Sequence, residues 1–172
     1  AGWGALVSFM LAVSPSSELP GMLFWLMGDM AHARNPAVPM AILLVVVLAA
    51  VPFGRTLNIL ARGPQQAAAL GVAVRRIEWL LHLAAALLAA TAVTVAGSIG
   101  FVGLIVPHLL RLIIGNDQRV LLPASALAGG ILLVLADTLA RTLIAPEQLP
   151  VGVITALLGV PAFLYLLHRS PA

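Results

Sequence analysis

The fold is decided by residues 120–140, which read VLLPASALAGGILLVLADTLA and include one charged residue, Asp137. A helix of about 20 mainly apolar residues crosses the roughly 30 Å hydrocarbon core of a bilayer. Comparable stretches of low charge occupy residues 2–13, 37–53, 77–96, 101–114 and 151–167. We therefore predict an all-α fold, a polytopic membrane helix bundle of about six transmembrane helices that forms a single domain over residues 1–172.

The composition of the whole chain also indicates that it is surrounded by lipid. Of its 172 residues, 62% are hydrophobic and 9% are charged. A soluble domain has roughly 45–50% and 25% of such residues, so a soluble fold would lack the polar residues to cover its surface. The basic residues are dispersed and form no patch with aromatic residues, which argues against nucleic acid as a partner. The lack of cysteine excludes disulfides and thiolate chemistry.

Two interruptions in the apolar pattern predict further local structure. Residues 19–27 are apolar but too few to cross a bilayer, which predicts a short re-entrant or interfacial helix. Gly97, Ser98 and Gly100 divide one long apolar run. Glycine at membrane depth is tolerated where the backbone is buried in protein or lines a cavity. We therefore expect a bend at this position.

The most informative loop is residues 57–74, which read LNILARGPQQAAALGVAV. Gly63 and Pro64 divide it into two helical pieces, because proline suits the first position of a helix. Gly71 is a suitable end for the second piece. A plain linker would be more polar and less helical. The loop, here taken as residues 55–76, is therefore predicted to be a rigid helix pair on which another protein docks.

The distribution of arginine sets the orientation. If residues 55–76 are cytoplasmic, alternation of the crossings places seven arginines inside and only Arg34 and Arg141 outside. This ratio satisfies the positive-inside rule. The chain is thus expected to be a multi-pass membrane protein with a cytoplasmic C-terminus.

Few ionisable residues interrupt the apolar runs, and each is a candidate for function. Asp137 and Arg141 are four residues apart and can pair on one helix face. Alternatively, Arg141 faces the exterior and receives a carboxylate from a soluble partner. His108 and Arg111 also share a helix face. Their presence is explained without a function if the side chains extend to the lipid headgroups.

Enzymatic and metal-binding functions find little support in the sequence. The four histidines lack the spacing of metal ligands, so no metal site is expected. An intramembrane enzyme would need His108 and Asp137 to converge, whereas the predicted topology puts them at opposite membrane faces. There is also no glycine-rich phosphate loop for ATP. We therefore expect that the chain is not an enzyme and that it binds no cofactor.

Several motifs resemble those of a known family. They are the run 97–108, GSIGFVGLIVPH, then Arg111, Gly115, Asp117 and Arg119, and the closing segment 149–167. Together they closely resemble the permeases of the FecCD type, the membrane subunits of ABC importers for iron–siderophore complexes, haem and cobalamin. The resemblance covers nearly the whole chain but only about half of such a permease, so the chain is expected to be its C-terminal half.

The resemblance implies a function and a set of partners. The chain would be the transmembrane permease subunit of an ABC importer that moves an iron–siderophore or related metal chelate across the inner (plasma) membrane, driven by a separate ATPase. A vitamin B12 or haem permease is the alternative. A non-transporting membrane scaffold or an intramembrane enzyme is the alternative of another class. The implied partners are an ATP-binding subunit, a periplasmic substrate-binding protein, a second permease copy in a homodimer and the lipid bilayer.

The resemblance also assigns residues to three roles. The helix pair would couple to the ATPase through Gln65, Gln66, Ala68, Leu70 and Gly71. Arg141 would dock the binding protein. The pathway or gate elements would include Gly97, Gly100, Pro107, Pro150, Gly152 and Thr155.

Overall fold

The computed structural model describes residues 2–31 and 35–169, and this part folds into α-helices joined by turns. In chain order the helices are α1 Gly2–Val13, α2 Leu19–Leu26, α3 Ala37–Ala50, α4 Gly54–Leu60, α5 Pro64–Ala69, α6 Val74–Ala96, α7 Val102–Ile114, α8 Gln118–Thr142 and α9 Val151–Arg169. The predicted all-α fold is confirmed. Arg34, one of the two arginines expected on the outer side, lies outside the described residues.

The helices differ in whether they are long enough to cross a bilayer. Within the described part, α6 and α8 have 23 and 25 residues and are long and apolar enough on their own. α3 and α4 qualify only together, and a bend of 71° separates them. The other apolar helices are shorter: α1, α7 and the Val151–Leu166 part of α9. A helix of about 13 residues is only about 20 Å long, less than the hydrocarbon thickness. The count of six crossings therefore stays a prediction.

The two predicted interruptions are present as local structure. α2 is a separate short helix, although its position relative to a membrane stays a prediction. α6 ends at Ala96 and α7 begins at Val102. Gly97 between them has φ 68° and ψ −160°, a conformation that only glycine adopts readily. The predicted break in the long apolar run is therefore confirmed.

The core of the described chain lies where α7, α8 and α9 pack together. Its most buried cluster joins Ala136 and Ala140 of α8 to Val151 and Ile154 of α9. Most other large apolar side chains are exposed, and Ile113 of α7 has 78% of its surface accessible. An apolar exterior of this kind is compatible with lipid as the surrounding solvent.

The end of α2 is held against the α6–α7 break by hydrogen bonds to the backbone. The hydroxyl of Ser98 donates to the carbonyl oxygen of Leu26 over 2.6 Å. The amide of Asp29 donates to the carbonyl oxygen of Ala96 over 3.0 Å. Both bonds satisfy carbonyl groups at helix ends that have no partner within their own helix.

Glycine lets three backbone segments meet at this end of the bundle, which we call the outer junction after the side on which the arginine distribution predicts it. A Cβ on Gly97 would overlap the carbonyl oxygen of Trp25, and a Cβ on Gly152 would overlap that of Met27. The amide of Gly152 also donates to the carbonyl oxygen of Gly28 over 3.3 Å. The junction therefore joins α2, the α6–α7 break and the start of α9 through their main chains.

Gly152→Ala should destabilise the chain, because the added methyl group meets a carbonyl oxygen that hydrogen-bonded backbone holds in place. Over-packing of this kind costs about 1–3 kcal/mol, or roughly 2–12 °C in Tm for a chain of this size. Thermal unfolding of the detergent-purified chain, followed by circular dichroism, measures the change.

Gly130→Ala is the matched control, since nothing lies within 4 Å of a Cβ at that position in α8. It should leave Tm unchanged or raise it slightly, because alanine favours the helix. Equal Tm values for the two variants would contradict the role given to Gly152.

Candidate functional site

The predicted helix pair is present as α4 and α5, and its cytoplasmic location stays a prediction. Gly63 joins the two helices with φ 122°, and Pro64 is the first residue of α5. α5 ends at Ala69, and Gly71 after it has φ 79°. A positive φ strains any residue with a Cβ, so glycine at both positions lets the chain turn sharply. The helix pair and its glycine end are therefore confirmed.

α5 presents one buried residue and an exposed remainder. Ala67 is fully buried, and its carbonyl oxygen accepts a hydrogen bond from the amide of Val72 over 3.0 Å. Leu70 leaves 69% of its surface exposed although it is apolar. The residues expected to touch an ATPase are all exposed: Gln65, Gln66, Ala68, Leu70 and Gly71. The structure thus anchors α5 by Ala67 and leaves the predicted contact residues accessible.

An amide–carboxylate contact ties the helix pair to α8, and we call it the Asn58–Asp117 clasp. The side-chain amide of Asn58 donates to Oδ1 of Asp117 over 2.8 Å. Oδ1 of Asn58 accepts from the amide of Gln118 over 2.8 Å. α4 also packs closely on α8, because its first residue, Gly54, lies against the side chain of Arg119. The clasp therefore fixes α4 to the beginning of α8.

Asp117 carries the electrostatics of this clasp. It is the N-cap of α8, and its Oδ1 accepts from the amide of Arg119 over 3.0 Å. The hydrogen bond from Asn58, followed by that from the Arg119 amide, lowers the pKa of this carboxyl below its ordinary value of 3.8. A lowered pKa means that the stabilisation is present above pH 3.8 and is lost as the pH falls through the folded-state value. The clasp is thus intact at neutral pH.

Arg141 lies at the opposite end of α8 from the clasp. Its Nε donates to Oδ2 of Asp137 over 2.8 Å, and the arginine side chain is 44% exposed. Asp29, which follows α2, adds a second negative charge to its surroundings. The predicted pair within the helix is therefore present, while the exposed guanidinium retains donors for an external carboxylate.

The structure brings only some of the predicted gate residues together. Gly97 and Gly152 meet at the outer junction. Pro150, two residues before Gly152, is buried. Thr155 is 5% exposed, and its hydroxyl donates to the carbonyl oxygen of Gly152 over 3.0 Å. Gly100 makes no close contact at its Cβ position, and Pro107 lies within α7. These two residues do not belong to the junction.

Sequence reasoning missed the clasp and the contribution of α2 to the outer junction. Asn58 and Asp117 are 59 residues apart, and no spacing rule relates them. An aspartate just before a helix is a recognisable N-cap, so the role of Asp117 at the start of α8 could have been predicted from the sequence, whereas its contact with Asn58 could not. Gly28 has φ 85° directly after α2, and a glycine at that point is a common helix end.

Comparison with known proteins gives a consistent family. The chain matches the FecCD transport family over residues 1–169. It is 49% identical over 167 residues to the cobalamin import system permease protein BtuC of Halobacterium salinarum, which covers 96% of this chain and 44% of that protein. It is 44% identical over 169 residues to the hemin transport system permease protein HmuU of Yersinia pestis, with coverage of 97% and 51%.

A solved structure supports the same relationship. It is described as an inward-facing conformation of a metal-chelate type ABC transporter and superposes with a TM-score of 0.88 at 35% identity. The match covers 97% of this chain and 55% of that one. The chain thus spans about half the length of the relatives that it matches.

Asn58→Ala should loosen the attachment of α4 to α8, because it removes both side-chain hydrogen bonds of the clasp. We expect Tm to fall by about 4–8 °C, since each of the two lost hydrogen bonds contributes about 1 kcal/mol net and each kcal/mol shifts the Tm of a chain of this size by about 2–4 °C. Asn116→Ala is the control, since Asn116 is exposed beside the clasp and takes no part in it. A Tm for Asn58→Ala equal to that of the control would rule out a stabilising clasp.

Proposed function

Because the chain belongs to the FecCD transport family, we propose that it is the transmembrane permease subunit of an ABC importer. It would move an iron–siderophore or related metal chelate across the inner membrane, driven by a separate ATPase. The observation that carries this proposal is the helix pair α4–α5, whose second helix is mostly exposed, on a multi-pass membrane protein.

The relatives support the substrate class without choosing within it. Their names specify cobalamin in one case and hemin in another, and the similar solved structure is described as a metal-chelate type. A cobalamin or haem permease is therefore the second candidate. These substrates share a large organic ligand around a metal, which is the class that we propose for this chain.

The helix pair is suited to pass movement from an ATPase into the membrane. Leu70 gives a partner an apolar contact at the exposed end of α5, and burying a leucine contributes about 1.5–3 kcal/mol. Ala67 and the Asn58–Asp117 clasp connect the pair to the bundle. A push on α5 would then act on α4 and on the start of α8.

Arg141 is suited to receive the binding protein at the other end of the bundle. Its guanidinium is exposed, and Asp137 holds it in a defined direction through one hydrogen bond. A partner carboxylate could take the remaining donors, since guanidinium and carboxylate pair through parallel hydrogen bonds. The two docking sites would thus lie at opposite ends of one helix, α8. We further propose that the transporter contains a second permease copy and that the C-terminus is cytoplasmic.

Leu70→Glu should weaken binding of the ATP-binding subunit by at least about tenfold, equal to 1.4 kcal/mol, because it buries a charge in an apolar contact. The affinity is measured by titrating that subunit onto the permease in nanodiscs. Leu143→Glu is the matched control: Leu143 is 61% exposed and lies at the far end of α8. Unchanged affinity for Leu70→Glu would exclude α5 as the contact. If the ATP-binding subunit binds but no metal chelate is taken up into vesicles with ATP, the result would favour the alternative of a non-transporting scaffold.

Arg141→Glu should weaken docking of the substrate-binding protein by about tenfold or more, because it replaces an attraction by a repulsion. Asp137→Asn separates this effect from simple loss of the internal pair: it frees Arg141 and should leave the affinity equal or higher. Surface plasmon resonance with immobilised permease gives both affinities. Equal losses in the two variants would assign Arg141 to a purely internal role.

A further inference from the structure

A polar pocket opens between the helix pair and the α7–α8 turn. It has a volume of about 570 Å³ and is lined by residues from both sides, including Arg62 after α4 and Arg111 of α7. Asn58 and Asp117 of the clasp form part of its wall. The pocket therefore lies between two elements that the clasp already holds together.

The charges of this pocket are unbalanced. The carboxylate of Asp117 already accepts hydrogen bonds from Asn58 and from the amide of Arg119. Neither Arg62 nor Arg111 has a side-chain hydrogen bond or an ion pair within the described part of the chain, and both are exposed. Two arginines without an internal partner thus line a pocket whose one carboxylate already has hydrogen-bond partners, and the pocket favours an anion.

The position of Arg111 indicates where that anion comes from. Arg111 lies in the last turn of α7 and is followed by Leu112 and Ile113, which are 70% and 78% exposed. These exposed apolar side chains directly after a basic residue are compatible with an end of α7 that lies near the surface of a bilayer. Phospholipid phosphates occupy this surface in a bilayer.

We propose that Arg62 and Arg111 together bind the phosphate of an anionic phospholipid. Guanidinium groups recognise phosphate through paired hydrogen bonds, and basic pockets between membrane helices bind anionic headgroups. The volume of 570 Å³ is that of a small-molecule site and far exceeds what one acidic side chain of a partner protein would fill. The bound lipid would link the turn after α4 to α7, beside the Asn58–Asp117 clasp.

This inference depends on the proposed function only for the leaflet, which would be the cytoplasmic one. Lipid binding needs neither ATPase nor binding protein, so its failure and the failure of the transport proposal are distinguishable. The bound phosphate would hold the helix pair at a fixed angle to α7, and the lipid composition would then affect how the pair presents Leu70.

The test measures lipid retention by the whole chain with native mass spectrometry. The chain is purified in detergent with equal amounts of phosphatidylglycerol and phosphatidylcholine. We expect phosphatidylglycerol adducts to exceed phosphatidylcholine adducts by about tenfold, and Arg62→Gln/Arg111→Gln to remove this preference. Arg75→Gln, an exposed arginine at the start of α6, is the control and should retain it. Circular dichroism verifies that each variant is folded.

Two arms distinguish other sources of the anion. Millimolar inorganic phosphate should lower the adducts of the unmodified chain only weakly, because the acyl chains add apolar contact. Complete displacement by phosphate would overturn the lipid assignment in favour of a free anion. Unchanged lipid preference in the double variant would overturn it as well, and loss of ATPase-subunit binding in that same variant would assign the pocket to an acidic protein partner.

Discussion

The close approach of main chains at the outer junction is the constraint on which the rest of the structure depends. In lipid, apolar burial does not drive helices together, so they associate through close packing and hydrogen bonds. Gly97 and Gly152 allow carbonyl groups to come where a side chain would stand. Three otherwise independent segments are thereby joined: the end of α2, the α6–α7 break and the start of α9. Beside this junction, small residues of α8 pack against the start of α9: Ala136 and Ala140 contact Val151 and Ile154.

The opposite end of the bundle is organised by polar groups. There Asn58 and Asp117 satisfy each other and hold the helix pair to α8. α8 itself has 25 residues and is therefore about 37 Å long. It carries the clasp at its first turn and Arg141 in its last turn. A single continuous helix thus connects the two ends at which we propose that soluble partners dock, which suits the transmission of movement across a membrane.

Much of the site could be predicted because its signals are local. Proline at the start of α5 and glycine at its end follow from the φ angles that each residue permits, so the helix pair was visible in residues 57–74. The pair of Asp137 and Arg141 follows from helical spacing. In contrast, the sequence could not show which glycines make close contacts: Gly100 lies near the junction in sequence but makes no close contact there, and its role in a pathway or gate stays a prediction. Neighbouring glycines look alike in sequence, and only packing tells them apart.

The sequence by itself determined that the chain is surrounded by lipid, that its fold is all-α and where several helices end. Hydropathy and backbone preferences decide these properties because they act over a few residues. The family motifs, which are also local, indicated the FecCD transport family. Only the tertiary structure decided which distant groups meet. Asn58 reaches Asp117, Gly152 reaches Met27, and Arg62 shares a pocket with Arg111. Such pairs depend on how whole helices are placed against each other, and no short-range preference encodes that placement.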